Sequence, residues 1–202
     1  MTYTASIHHR RSIRLQNYDY TANGAYFVTF RTVQKECLFG TILHGTLQLN
    51  DFGLAVAESW IAIPNHFPGV ELDEYVVMPN HFHGILNLLA IPVGAKQGSS
   101  ASPDSGNILE KQATRQIQGE ALTSVQPHGT TCGSLGAIIQ NFKSVSTRSG
   151  NRMRNKPGCS VWQRNYYERV IRNERELSTV REYIVNNPMK WALDKDNPAN
   201  SV

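Results

Sequence analysis

Val70-Glu-Leu-Asp-Glu-Tyr-Val-Val-Met-Pro-Asn-His-Phe-His-Gly-Ile-Leu-Asn-Leu88 holds two extended runs joined by a link too short for anything but a reversal. Residues 70–78 set apolar against acidic side chains and predict one strand. Residues 81–91 predict the next, with Pro79-Asn80 as the tight connection between them. An antiparallel pair at the centre of the chain follows, and the remaining elements are arranged around it.

Upstream, the Asn23-Gly24 turn leads into Gly24-Ala-Tyr-Phe-Val-Thr-Phe-Arg31, whose aromatic and β-branched content predicts a strand. Residues 51–63 carry Leu54, Ala57, Trp60 and Ile61 at helical spacing, with Pro64 as the stop. Downstream, residues 92–133 are dense in Gly, Ser, Gln and Thr with no sustained period, and predict a flexible, disordered insertion. Order resumes at Ser134, where Leu135, Ile138, Ile139, Phe142 and Val145 outline an amphipathic helix. A strand is expected over about 161–171. Asn173 with Glu176 three residues later resembles a capping box, opening a helix that runs to Asn187 and stops at Pro188. The order β-α-β-β-insertion-α-β-α predicts an α+β fold: a ferredoxin-like split β-α-β antiparallel sheet with an extra C-terminal helix. Residues 1–91 and 134–193 are read as one domain, 92–133 as the insertion and 194–202 as a tail.

The chain has 202 residues with a formal charge of +4, enough for one domain and its core. Residues 1–133 carry eight Lys/Arg against ten Asp/Glu, and residues 134–189 carry ten against four. All of the basic excess therefore lies in the second stretch, as in nucleic-acid binders or along a solvated helix face. Cys37, Cys132 and Cys159 form no paired spacing, which excludes a disulfide framework or a zinc knuckle. The N-terminus has no apolar h-region and no apolar run is long enough for a membrane span, so no signal peptide, no membrane and a cytoplasmic location are expected.

His81 and His83 lie two apart on a strand, so both project from one face about 7 Å apart along the chain. They are either a polar-face pair or two ligands of one cation, with Phe82 turned into the core behind them. Gly84 leaves room for another backbone or a nucleotide. A third ligand would have to come from elsewhere. Beside the buried stripe Leu177, Val180 and Ile184, the last helix carries Tyr183 and Asn187 at i and i+4, on one face. They read either as a core-edge tyrosine with a capping asparagine or as functional groups. Tyr166 and Tyr167 either stack on unpaired bases or pack the sheet, and Trp162 is read as core. His8 and His9 with Arg10, Arg11 and Arg14 form either a basic arm or a tail.

Met78-Pro-Asn-His-Phe-His-Gly84, Trp162-Gln-Arg-Asn-Tyr-Tyr-Glu-Arg-Val-Ile-Arg172 and Tyr183-Ile-Val-Asn-Asn-Pro188 together resemble the REP-associated tyrosine transposases, within the HUH superfamily of single-tyrosine transposases. The resemblance covers residues 10–193 apart from the insertion, which is longer than in relatives. It implies His81, His83 and Asn187 as ligands of Mg²⁺ or Mn²⁺ and Tyr183 as nucleophile. It also implies that Arg10, Arg11, Arg14, Lys143, Arg148, Arg164, Tyr166, Arg169 and Arg172 bind DNA. The substrate would be single-stranded or hairpin DNA such as REP-like palindromes, cut and rejoined through a 5′-phosphotyrosine link, with Arg169 or Arg172 as the cation that activates the tyrosine. A nucleoid-associated monomer is expected rather than a helix-swapped dimer. The competing readings are a domesticated DNA-binding regulator that does not cut, and a metallo-hydrolase using water with Tyr183 structural.

Overall fold

A computed structural model of the chain describes residues 19, 21–89 and 133–200. Expectations for His8, His9, Arg10, Arg11, Arg14, Cys132 and residues 92–132 of the insertion lie outside the described residues.

Strand β1 (Gly24–Arg31) forms as its aromatic and β-branched content predicts, and it is covered on both faces. Tyr26, Val28 and Phe30 are fully buried on one side, and Phe27 and Thr29 are buried on the other. The hairpin read from residues 70–88 forms as β4 (Val70–Val77) and β5 (His81–Leu88), closed by the Met78 N–H donating to the His81 carbonyl at 2.8 Å. With β6 (Tyr167–Ile171), the strands make a four-stranded antiparallel sheet in the order β4-β5-β1-β6. That is the ferredoxin-like arrangement expected from the element order.

Two helices cover one face. Helix α1 (Asp51–Ile61) is capped by Asn50, whose side chain accepts from the Gly53 N–H at 2.9 Å. A four-residue turn of helix follows, α2 (Ile63–His66), so Pro64 sits in the first turn of a second helix rather than ending the first. The stripe that α1 buries is Phe52, Ala55, Val56 and Trp60, whereas Leu54 and Ile61, expected inside, are exposed. Helix α3 (Leu135–Met153) buries Leu135, Ile138, Ile139 and Phe142 as predicted. Trp60, Phe82, Phe142 and Trp162 pack together between these helices and the sheet. Gly84 lies in this core, where an added Cβ would come within 2.7 Å of the Trp60 ring. The space beside it is filled by Trp60, not by another backbone or a nucleotide.

Helix α4 (Glu174–Val185) covers the opposite face through Leu177, Val180 and Ile184, over Phe27, Val76, Met78, Ile85 and Ile171. Its N-terminus is capped as anticipated: Asn173 accepts from the Glu176 N–H at 2.9 Å, while Glu176 reaches back to the Arg172 N–H at 3.1 Å. Two elements depart from the sequence reading. A hairpin, β2 (Gly40–Leu43) and β3 (Thr46–Leu49), adds Ile42 and Leu47 to this second core. Its two-residue turn has positive φ at both His44 and Gly45, the geometry that twists with the strands. The last strand starts at Tyr167 rather than about 161. Residues 161–163 make only an isolated bridge from Trp162 to Thr32 because the Trp162 ring is drawn into the core, its Nε1–H donating to Ser146 Oγ at 3.0 Å. Among the described residues, no helix is long and apolar enough to cross a membrane.

Candidate active site

The β1–β5 register sets Thr29 opposite His83 and Arg31 opposite His81, on the face covered by α4. Both histidines are buried, with ring centroids 4.7 Å apart. Each is anchored through Nδ1. His83 Nδ1 lies 2.8 Å from Thr29 Oγ1, and His81 Nδ1 lies 2.9 Å from Asn80 Oδ1.

Asn80 fixes the His81 tautomer. Its Nδ2 donates to the carbonyls of Lys35 and Asp196 at 2.9 and 2.6 Å, so its Oδ1 must accept. His81 therefore donates from Nδ1 and turns the lone pair of Nε2 into the site, the way metal-binding histidines are oriented by a second partner. That Nε2 is buried with no hydrogen-bond partner, and so is Oδ1 of Asn187. Leaving two buried acceptors unpaired costs about 1–3 kcal/mol each, which a shared cation would remove. The donor set of two imidazole nitrogens and an amide oxygen fits a divalent ion. Among the described residues, no three side chains from His, Cys, Asp and Glu lie close enough together to form such a centre as they stand, and the Asn187 amide adds the third donor.

Tyr183 stands beside the pair from α4, its Oη 3.4 Å from His83 Nε2 and its ring edge-on to both His83 and Phe27. It is 42% exposed, open to a ligand in a cleft of about 340 Å³ lined by Phe27, Arg31, Tyr167 and the 194–196 segment. Asn187 follows one turn later, buried at the start of a 3₁₀ turn (Pro188–Leu193).

The electrostatics keep this site short of positive charge. Burial lowers the His81 pKa, against the carboxylates of Asp194 and Asp196, which raise it. Burial holds His83 well below the usual imidazole range, with the charges of His81, Arg31 and Lys195 adding to the effect. For Tyr183, burial raises the phenol pKa, Asn187 opposes this, Asp194 and Asp196 add to it, and Arg31 lowers it. Arg31 is thus the cation whose field reaches Tyr183. Arg169 instead pairs with Glu176 at 3.5 Å, and Arg172 is exposed.

Other sequence expectations divide. Tyr166 packs against Phe30 at a centroid distance of 5.7 Å, so the tyrosine facing the cleft is Tyr167. Lys143 is not a free cation: its Nζ donates to the carbonyls of Gln163 and Arg164 at 2.5 and 3.3 Å, and burial brings its pKa down to about 8. With Arg148 and Arg164 it lines a separate cleft of about 410 Å³ beside α3, on the face away from the histidines. Thr29, Asn80 and Arg31, with residues 194–196 from the presumed tail, join the site without a sequence signal. Their roles depend on strand register and on the return of the chain end.

No family model matches the chain. A Haemophilus influenzae protein (strain ATCC 51907 / DSM 11121 / KW20 / Rd), described as an uncharacterized protein, is 40% identical over 193 residues, covering 96% of each chain. The chain belongs to that protein's family. Among solved structures, a REP-associated tyrosine transposase bound to a REP hairpin matches with a TM-score of 0.51 and 18% identity, over 90% of this chain and 77% of that one. At that identity the likeness is one of fold: the chain has the architecture of that transposase.

Proposed function

We infer that this chain is a metal-dependent single-tyrosine DNA endonuclease and strand transferase acting on hairpin-forming single-stranded DNA. The observation that carries this reading is the convergence of a half-exposed Tyr183 hydroxyl with His83 Nε2, beside the buried His81 ring, and with the Asn187 side chain, which reaches both Tyr183 and His81. A role in binding alone requires none of these to face one another. The likeness in fold to a hairpin-bound transposase supports the choice of DNA.

His81 and His83 through Nε2, and Asn187 through Oδ1, would hold Mg²⁺ or Mn²⁺, which supplies Lewis-acid polarisation of a phosphate oxygen. Thr29 and Asn80 keep both imidazoles oriented. Tyr183 Oη attacks the scissile phosphorus, its proton passing to solvent through the open side of the cleft. The P–O3′ bond breaks, the 3′ oxygen takes up a proton, and the 5′ phosphate remains on Tyr183. Attack by another 3′-OH reverses the step and restores the phenol, conserving the phosphodiester. Arg31 lies where it favours the phenolate, and Tyr167 offers a face for an unpaired base. The reading takes the protein as a monomer, with α4 packed on β4 of the same chain and Tyr183 beside its own histidine pair.

The test incubates labelled hairpin-bearing single-stranded DNA with the protein and Mn²⁺, then seeks an adduct that survives denaturation. A covalent adduct lost in Tyr183→Phe with binding retained is the expected result. Cleavage without an adduct would identify a hydrolase, and binding alone a regulator.

A further inference from the structure

The 3₁₀ turn after α4 returns the chain to the histidines and delivers Asp194. Its carboxylate Oδ2 lies 3.9 Å from His81 Nε2, too far for a hydrogen bond. Oδ1 is held by the Asp196 N–H at 2.7 Å, which aims the other oxygen at the imidazole. Asp196 is itself fixed, accepting from Arg31 Nε at 2.7 Å and lying 3.4 Å from Lys35 Nζ. Three polar groups thus approach one region: His81 Nε2, turned into the site by Asn80, the Asn187 side chain, which reaches His81, and a carboxylate oxygen.

We propose that Asp194 is a further ligand of the cation held by His81, His83 and Asn187, supplied by the chain end rather than by the sheet or α4. Two donors each about 2.1 Å from one ion stand about 3.0 Å apart when adjacent and about 4.2 Å when opposite. The 3.9 Å separation falls within that span, and the carboxylate and the two histidines, which do not group as a three-residue centre as they stand, would be drawn together by the ion. The set becomes two nitrogens and two oxygens with one negative charge, which suits Mn²⁺ or Mg²⁺ better than a soft site would. The proposal rests on reading His81, His83 and Asn187 as donors.

Mn²⁺ affinity, read from the electron paramagnetic resonance signal of the free ion, separates the two ideas without DNA or turnover. Asp194→Asn is expected to weaken binding by about 10- to 100-fold, as Asp194→Glu binds more tightly than Asp194→Asn. Circular dichroism of each metal-free variant checks that it is folded. In the unaltered protein, Mg²⁺ is expected to shift the Asp194 carboxylate carbon in ¹³C NMR, which does not depend on any variant folding. Affinity within twofold of the parent for Asp194→Asn, with binding lost in His81→Ala, would overturn the proposal and leave the three-donor site standing. Undiminished binding in both variants would overturn the two together, and an unshifted carboxylate carbon would overturn the proposal.

Discussion

Asn80 is within two side-chain lengths of the chemistry and takes no part in it, yet its geometry settles what His81 can do. With both amide hydrogens given to carbonyls, it can only accept, and the imidazole is left with one orientation. Asn80→Ala is expected to weaken Mn²⁺ binding about 10- to 100-fold by calorimetry, the size typical for loss of a residue that orients a ligand. Gly84 gives the opposite kind of test. An alanine there must displace the Trp60 or Phe82 ring, so Gly84→Ala should cost about 1–3 kcal/mol in urea unfolding without touching the metal donors. The two histidines were legible because a strand repeats every two residues, and Tyr183 and Asn187 because a helix brings i and i+4 together. Asn80, Thr29 and Asp194 were not. Each owes its role to a partner 45 or more residues away or to a turn of the chain end, and no local period records that.

Helix α4 carries Tyr183 and leads directly into Asn187, two residues past its last turn, so its seat on the sheet sets their aim. Beyond its apolar stripe, it is held by Arg181, whose Nε and Nη2 meet the two oxygens of Asp73 at 2.9 and 2.6 Å. Asp73 projects from a break in register between Leu72 and Tyr75, where β4 bulges towards the helix. The hydrogen bond from Arg181 holds the Asp73 carboxyl below its usual range. Asp73→Ala should speed amide exchange across residues 174–185 while β1 and β5 stay protected, and should slow adduct formation more than DNA binding. Unchanged exchange in α4 would show that the apolar stripe alone seats the helix. The stripe was readable from the sequence, whereas the clamp was hidden because charged residues on separate elements carry no pairing signal. The β2–β3 hairpin was missed for a related reason. Its strands are short and half-exposed, and its His44-Gly45 turn lacks the usual Asn-Gly or Asp-Gly pair.

Across the whole molecule, two buried imidazoles make the metal-free protein sensitive to acid. Both folded-state pKa values lie below the ordinary 6.5, so below that pH the unfolded chain binds more protons than the folded one. Stability is therefore full above about pH 6.5 and falls as pH drops through the folded-state values. Denaturation midpoints should decrease from pH 7.5 to pH 5, and His83→Asn should flatten the slope. The basic excess read from residues 134–189 is spread over both faces of the sheet rather than gathered at the histidines. If Arg148 and Arg164 touch DNA, replacing both by alanine should lower the salt dependence of hairpin binding, by about 0.7 in the log–log slope per lost phosphate contact, and leave the adduct rate at saturating DNA unchanged.

The groups proposed to react come from two separate stretches of the sequence, and the β1–β6 ladder joins those stretches. Among the described residues, those up to 89 carry the histidines, and those from 133 onward carry Tyr183, Asn187 and Asp194. A chain severed anywhere between would yield one piece with imidazoles and no nucleophile, and another with a nucleophile and no imidazoles. Under the proposed mechanism, neither would open a phosphodiester alone. Reassembly along the β1–β6 ladder would be the condition for reaction, which makes this sheet a natural coincidence gate for two separately expressed halves.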